Sequence, residues 1–192
     1  CSLGYDHALK SFDKSLNKMK LEYIDLYLIH WPSKNSFMET WEAFEKIKKS
    51  GRCNSIGVSN FAPHHLNKIL DYFNEIPAVN QIEISPFLQQ KKISSFCIKN
   101  NIHLTGYCPL ARGERLDNNE IVEIARAINK TPAQIMIRWS MQKGNTVIPK
   151  SARPERIQEN SDIFDFELNK SQMGIIDRLE EGLRFCPDPL KI

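Results

Sequence analysis

Leu9, Phe12, Leu16 and Met19 recur at three- and four-residue steps, which lays one apolar stripe along a helix from about residue 6 to residue 20. The period then shortens. Residues 23–30 form a β-rich run closed by Trp31-Pro32, where proline withdraws a backbone donor, and the run reads as a buried strand. Trp41, Phe44 and Ile47 mark the next helix, which stops near Gly51, and residues 55–58 supply a second strand. Leu66, Ile69, Leu70 and Phe73 make a helix, residues 79–84 a third strand, residues 91–100 a helix through Ile93, Phe96 and Cys97, and residues 102–107 a fourth strand. Ile121, Ile124, Ala125 and Ile128 mark a helix, and Thr131-Pro132 opens another with threonine as cap and proline in its first position. Residues 145–148 form a fifth strand, followed by a helix from Pro154 and a last one through Met173, Ile176 and Leu179.

Strands that are apolar along their length and alternate with helices imply a parallel sheet covered by helices, an α/β fold. An open doubly wound sheet with a dinucleotide site would carry Gly-x-Gly-x-x-Gly after its first strand, and no such motif occurs. A (β/α) barrel is therefore the expected architecture. In it, the polar residues at strand ends, His30, Ser59-Asn60, Gln81, Tyr107 and Lys150, would gather at the C-terminal mouth. The 192 residues show no composition shift, repeat or low-complexity tract, so residues 1–192 are read as a single domain.

Composition narrows the function classes. Hydrophobic residues at 41% and charged residues at 26% fit a globular protein, and no apolar run is long enough to span a bilayer. The net charge of +3 arises from mixed positive and negative residues with no basic stripe, which leaves nucleic-acid binding without support. The cysteines at 1, 53, 97, 108 and 186 are odd in number and form no Cys-x-x-Cys pair, an argument against a disulfide framework or zinc knuckle and for reduced thiols in a cytoplasmic protein. His64, His65 and His103 lack ligand-spaced partners, so no metal is expected. The sequons at Asn129 and Asn169 carry no weight without a signal peptide.

Five spaced motifs, YIDLYLIHWP (residues 23–32), IGVSNF (56–61), NQIE (80–83), GYCPL (106–110) and IPKS (148–151), occur in an order that resembles the aldo-keto reductase family, from about Gly4 to near the C-terminus. That resemblance implies the C-terminal portion of a (β/α)8 barrel and NADPH-dependent reduction of aldehydes or ketones to alcohols. It places His30 beside the substrate carbonyl, where an imidazole can donate to the oxygen on which charge develops, with Trp31 at the substrate. Without the resemblance, a histidine at a strand end is more often a hydrogen-bonded structural residue.

Ser59 and Asn60, by their types alone, suit a turn and helix cap. The resemblance instead gives them, with Gln81, to the nicotinamide carboxamide, and gives Tyr107 a stacking role on the nicotinamide face. Pro109 and Leu110 belong to the same implied cofactor site, and Cys108 stands where the family commonly has serine, which would weaken a hydroxyl contact to cofactor phosphate. Lys150, Ser151 and Arg156 precede or open a helix whose backbone donors could bind phosphate, or form a solvated basic loop. The pattern K-S-x-x-x-R-I-x-E-N resembles the family's grip on the adenosine 2′-phosphate, with Glu159 and Asn160 facing the adenine, and so implies NADP rather than NAD. Asp25 and Glu83 read either as an acid pair or as buried, paired carboxylates.

Protonating the alkoxide left by hydride transfer needs an acid, and the family uses a tyrosine assisted by lysine and aspartate. Those three would fall upstream of Cys1, and Tyr5, Tyr23 and Tyr27 do not match the acid's motif. Five strands are expected against the eight of a closed barrel, so the first and last would expose their edges unless a missing N-terminal segment or a partner completes the barrel. The chain is thus expected to be N-terminally incomplete and weakly active or inactive alone. A noncatalytic NADPH-binding or interaction module of the same fold is the alternative.

Overall fold

A computed structural model describes residues 4–33 and 36–191; Cys1 lies outside them. Among the described residues the elements are α1 (Tyr5–Met19), β1 (Ile24–Ile29), α2 (Phe37–Lys49), β2 (Cys53–Ser59), α3 (Pro63–Tyr72), β3 (Val79–Glu83), α4 (Lys91–Lys99), β4 (His103–Tyr107), α5 (Asn119–Ala127), α6 (Pro132–Gln142), β5 (Thr146–Ile148), α7 (Pro154–Ser161) and α8 (Lys170–Asp177). All five expected strands and all eight expected helices are present, with limits displaced by a few residues. The strands are parallel and form one sheet in chain order, β1-β2-β3-β4-β5. One short element was not expected, a 3-10 turn at Ala111–Gly113. It is built on left-handed backbone at Ala111 and Arg112 (φ 48° and 56°), a conformation that side chains other than glycine seldom announce in sequence.

By their contacts the residues form two compact units. The first comprises residues 4–81, 92–103 and 188–191, and the second residues 82–91 and 104–187, with β3 contributing to both.

In the first unit the stripe of α1 places Phe12 against Tyr27 of β1 at 5.1 Å edge to face, and Tyr27 lies 4.8 Å from Phe44 of α2. Trp41, Phe44 and Ile47 on α2 and Leu66 and Ile69 on α3 are buried, as their helical spacing requires. The β1 and β2 strands pair from Ile24↔Cys53 to Ile29↔Val58. Gly57 makes a close approach possible here, since a Cβ at that position would lie 2.7 Å from the Val79 carbonyl oxygen.

One expectation is corrected here. β1 is not a buried strand: only Ile29 is fully buried, and Tyr23 and Leu26 remain 51% and 39% exposed. Among the described residues its only strand neighbour in the sheet order is β2, so the apolar run has strand cover on one side.

In the second unit α6 is apolar nearly all round, with Ile135, Met136, Ile137 and Trp139 buried against β5 and between α5 and α7. Its start is as expected: Thr131 Oγ1 accepts from Gln134 N at 3.3 Å, and Gln134 Oε1 accepts from Thr131 N at 2.9 Å. α8 ends at Asp177, which leaves Leu179 beyond it. β5 is the last strand of the sheet and keeps Ile148 43% exposed. Among the described residues no helix is long and apolar enough to cross a membrane.

Candidate functional site

Parallel pairing sets Ser59 at the end of β2 opposite Gln81 of β3. The Gln81 carbonyl oxygen accepts twice, from Ser59 Oγ at 2.7 Å and from Asn60 N at 2.9 Å. Asn60 Nδ2 donates to the His30 carbonyl oxygen at 3.0 Å and to Ser59 Oγ at 3.1 Å. The ends of β1, β2 and β3 are thereby fastened together by two side chains that are each 2% exposed. Asn60 adopts φ 67°, a left-handed conformation that asparagine tolerates better than most residues.

The turn-and-cap reading of Ser59 and Asn60 does not hold. The N-cap of α3 is Ala62, two residues further on, and its backbone N–H donates to His65 Nδ1 at 3.2 Å. Ser59 and Asn60 bond across strands instead, because strand register brings a carbonyl to them before the helix begins. The Gln81 side chain is half-buried, and the His30 imidazole is exposed, 5.8 Å from the ring of the half-buried Trp31.

Asn80, within the NQIE motif, has a role that sequence did not reveal. The residue is completely buried; its Nδ2 donates to the Phe61 carbonyl oxygen at 2.9 Å and its Oδ1 accepts from Phe61 N at 3.3 Å. It pins the chain immediately after Asn60. An asparagine inside a predicted strand, where a side-chain amide must find partners if it is buried, was the available signal.

Asp25 and Glu83 part company. Asp25 is exposed and accepts from Asn54 Nδ2 at 3.1 Å, which corrects the reading of a buried carboxylate; it sits near the start of β1, in the half of the strand that stays outside the core. Glu83, 1% exposed in the second unit, accepts from Phe185 N at 2.7 Å, Cys186 N at 3.2 Å and Arg184 Nη1 at 3.4 Å. It is a buried, paired carboxylate that anchors the chain near residue 185.

In the second unit, Thr105↔Thr146 to Tyr107↔Ile148 pairing brings the ends of β4 and β5 side by side. A cavity of about 770 Å³ opens there. Tyr107, Pro109 and Leu110 from the loop after β4 line it, together with Lys150 and Ser151 after β5 and Arg156, Glu159 and Asn160 of α7. Every cofactor-site residue of this unit singled out from sequence lines that one space. Arg112, Leu116, Ala133 and Ile148 complete much of its wall and were not foreseen.

Lys150 and Arg156 are exposed at the cavity, whereas Asn160 is buried. Ser151 Oγ accepts from Arg153 N at 3.1 Å, next to the start of α7, whose N-cap residue Arg153 makes no side-chain cap. Glu159 Oε1 accepts from Thr131 Oγ1 at 2.5 Å, so its carboxylate is oriented by the capped end of α6. Burial, reinforced by Cys186 and Glu83, raises the Tyr107 phenol above its usual range and keeps it protonated. Among the described residues no three of His, Cys, Asp and Glu converge on a common point.

The model of the aldo/keto reductase family matches residues 2–181. The chain is 46% identical over 186 residues to glyoxal reductase of Bacillus subtilis (strain 168), covering 97% of this chain and 67% of that protein. Among solved structures, MGS-M4, an aldo-keto reductase from a Medee basin deep-sea metagenome library, superposes with a TM-score of 0.97 at 38% identity, over 100% of this chain and 72% of that one. A mutant of Gox0644 in complex with NADPH gives 0.96 at 42% identity, over 100% and 72%. Motifs in order, parallel strands in order and a family match across nearly the whole length agree, and the chain belongs to the aldo/keto reductase family.

Proposed function

We propose that this chain binds NADPH at the cavity of the second unit and serves the reduction of a small aldehyde or ketone. The convergence of three separated stretches, residues 107–110, 150–151 and 156–160, on one cavity carries the reading. The lining fits an adenine nucleotide phosphate. Leu110, Leu116, Ala133 and Ile148 offer apolar wall for a base, while Lys150, Arg112 and Arg156 offer cationic groups for phosphate. Arg156 lies in the first turn of α7, where the helix end and the guanidinium act on an anion together.

In this reading Lys150, Ser151 and Arg156 hold the 2′-phosphate, Glu159 and Asn160 face the adenine, and Pro109 and Leu110 bound the cofactor. Tyr107 offers its ring to the nicotinamide. For the first unit taken by itself, the family resemblance gives Ser59, Asn60 and Gln81 to a nicotinamide carboxamide and His30, with Trp31, to a substrate carbonyl. Bound NADPH supplies the hydride. A relative named glyoxal reductase points to small, reactive carbonyl compounds as the substrate class.

No residue among the 192 matches the family's tyrosine acid with its lysine and aspartate. The Tyr107 phenol, raised by burial, is a poorer proton donor than an ordinary tyrosine. The 192-residue chain is therefore expected to bind cofactor without turnover at the rates of its relatives.

Titration of the chain with NADPH and NADH, followed by tryptophan fluorescence, tests both parts. NADPH should bind more tightly, and Arg156→Ala or Lys150→Ala should each weaken NADPH by roughly tenfold, as expected for one charge-assisted contact, while leaving NADH little changed. Equal affinity for the two nucleotides sinks the cofactor assignment. NADPH-dependent turnover of glyoxal by the chain alone at rates like those of its relatives sinks the statement about turnover.

A further inference from the structure

Two thiols of the second unit meet beside the cavity, one of them in its wall. Cys186 Sγ lies 3.6 Å from Cys108 Sγ and donates to it, and Arg112 Nη2 donates to Cys186 Sγ at 3.8 Å. Both cysteines are half-buried, so a small oxidant can reach them, and Cys108 lines the cavity itself. We infer that Cys108 and Cys186 form a redox-active dithiol that a peroxide closes to an intramolecular disulfide. This goes beyond the cofactor reading and does not depend on it.

The backbone holds both sulfurs in place. Cys108 sits in a left-handed conformation, φ 53°, at the start of the loop that leads to the 3-10 turn. On the other side, Phe185 N and Cys186 N are both bound by the Glu83 carboxylate. Glu181 N and Leu183 N donate to the Phe87 carbonyl oxygen, and Arg115 ties the two sides by pairing with Glu181 at 2.5 Å and lying over the Phe87 ring at 4.6 Å. A disulfide bond of about 2.05 Å needs the sulfurs to approach by roughly 1.5 Å more, a distance that rotation about the Cα–Cβ bonds and small loop shifts supply. Because the segments are already fixed, bridging costs little further chain entropy.

The chemistry has a definite order. Burial and the neighbouring Cys186 push the Cys108 thiol up to about 11, so it stays protonated at neutral pH. The Cys186 sulfur, beside the Arg112 guanidinium, attacks the peroxide as its proton is released; one oxygen is transferred to sulfur as sulfenic acid, and the departing hydroxide takes up that proton as water. The Cys108 sulfur then attacks the sulfenic sulfur, the S–O bond breaks, and the departing hydroxide takes up the Cys108 proton as water. In sum, two thiols lose two electrons and two protons, and one peroxide becomes two waters. Cys53 and Cys97 are 2% and 0% exposed, and neither has a second thiol beside it among the described residues.

The reduced full chain would be treated with hydrogen peroxide, its remaining thiols blocked with iodoacetamide, and the digest mapped by mass spectrometry. The peptides bearing Cys108 and Cys186 should appear joined, separate on reduction with dithiothreitol, and leave Cys53 and Cys97 alkylated. Cys108→Ser, which installs the residue common in the family, should abolish the joined peptide and leave Cys186 as a sulfenic acid trapped by dimedone. Cys186→Ser should abolish it as well. Peroxide treatment that leaves Cys108 and Cys186 both alkylatable overturns the inference, and so does a Cys186 linkage found only between chains.

Discussion

Removing the Asn80 side-chain amide should unfasten the strand end that carries Ser59 and Asn60. Asn80 and Phe61 are both fully buried, and the amide supplies the hydrogen-bond partners for both backbone groups of Phe61. Asn80→Leu keeps most of the volume but leaves a buried N–H and a buried C=O, each costing about 1–3 kcal/mol, so the loss should be about 2–6 kcal/mol. Against a total of about 5–15 kcal/mol for a domain, that is a large fraction. With a urea dependence of about 2 kcal/mol per molar, the unfolding midpoint followed by circular dichroism should fall by roughly 1–3 M. Asn80→Asp separates hydrogen bonding from packing. It retains an acceptor for Phe61 N but sets a buried carboxylate against the Phe61 carbonyl oxygen, which raises the pKa of the new acid in the folded state. Such a group stabilises below its unfolded pKa and loses that contribution as pH rises through the folded value, so the variant should be weaker at pH 7 than at pH 5. An Asn80→Leu midpoint equal to that of the parent, or an Asn80→Asp stability without this pH trend, would refute the reasoning.

Gly57→Ala should lower stability by about 1–3 kcal/mol, because the new methyl would meet the Val79 carbonyl oxygen at 2.7 Å and Leu28 Cδ2 at 2.8 Å; a melting temperature unchanged from the parent's would contradict this. His65 should make the first unit sensitive to acid. Burial, with smaller contributions from His64 and Lys68, lowers its pKa from 6.5 to about 4, and its Nδ1 must stay unprotonated to accept from Ala62 N. A lowered folded pKa means the unfolded chain binds more protons between about pH 6.5 and 4, so stability should fall as pH drops through that window. Comparison of urea midpoints at pH 7 and 5 checks it, and an equal pH slope in His65→Gln would count against His65 as the cause.

The alternation of elements could be read directly because each element carries its own period. Thr131, Pro132 and Gln134 even marked the start of α6 through a cap that is local in the chain. Burial of β1 could not be read that way. An apolar strand has the same sequence whether it has neighbours on one side or two, and Leu26 and Tyr23 are exposed for want of a second neighbour among the described residues. The same division runs through the candidate site. Lys150, Ser151, Arg156, Glu159 and Asn160 were recognisable because they lie within one loop and the helix it enters. The choice between cap and cross-strand bond at Ser59 was open because Gln81, 22 positions away, decides it through register.

That division bears on how variants of the strand-end residues should be interpreted. Ser59 Oγ donates to Gln81 and receives from Asn60, and Asn60 also holds His30 through its carbonyl oxygen. Ser59→Ala therefore removes a link between strands whether or not the hydroxyl meets a cofactor, and lost nucleotide affinity alone would not assign it a contact. Lys150 and Arg156 stand differently. They are exposed at the cavity, so their removal disturbs little packing and a selective loss of NADPH over NADH reads their contact to the extra phosphate. The most informative substitutions for function are thus those the fold depends on least.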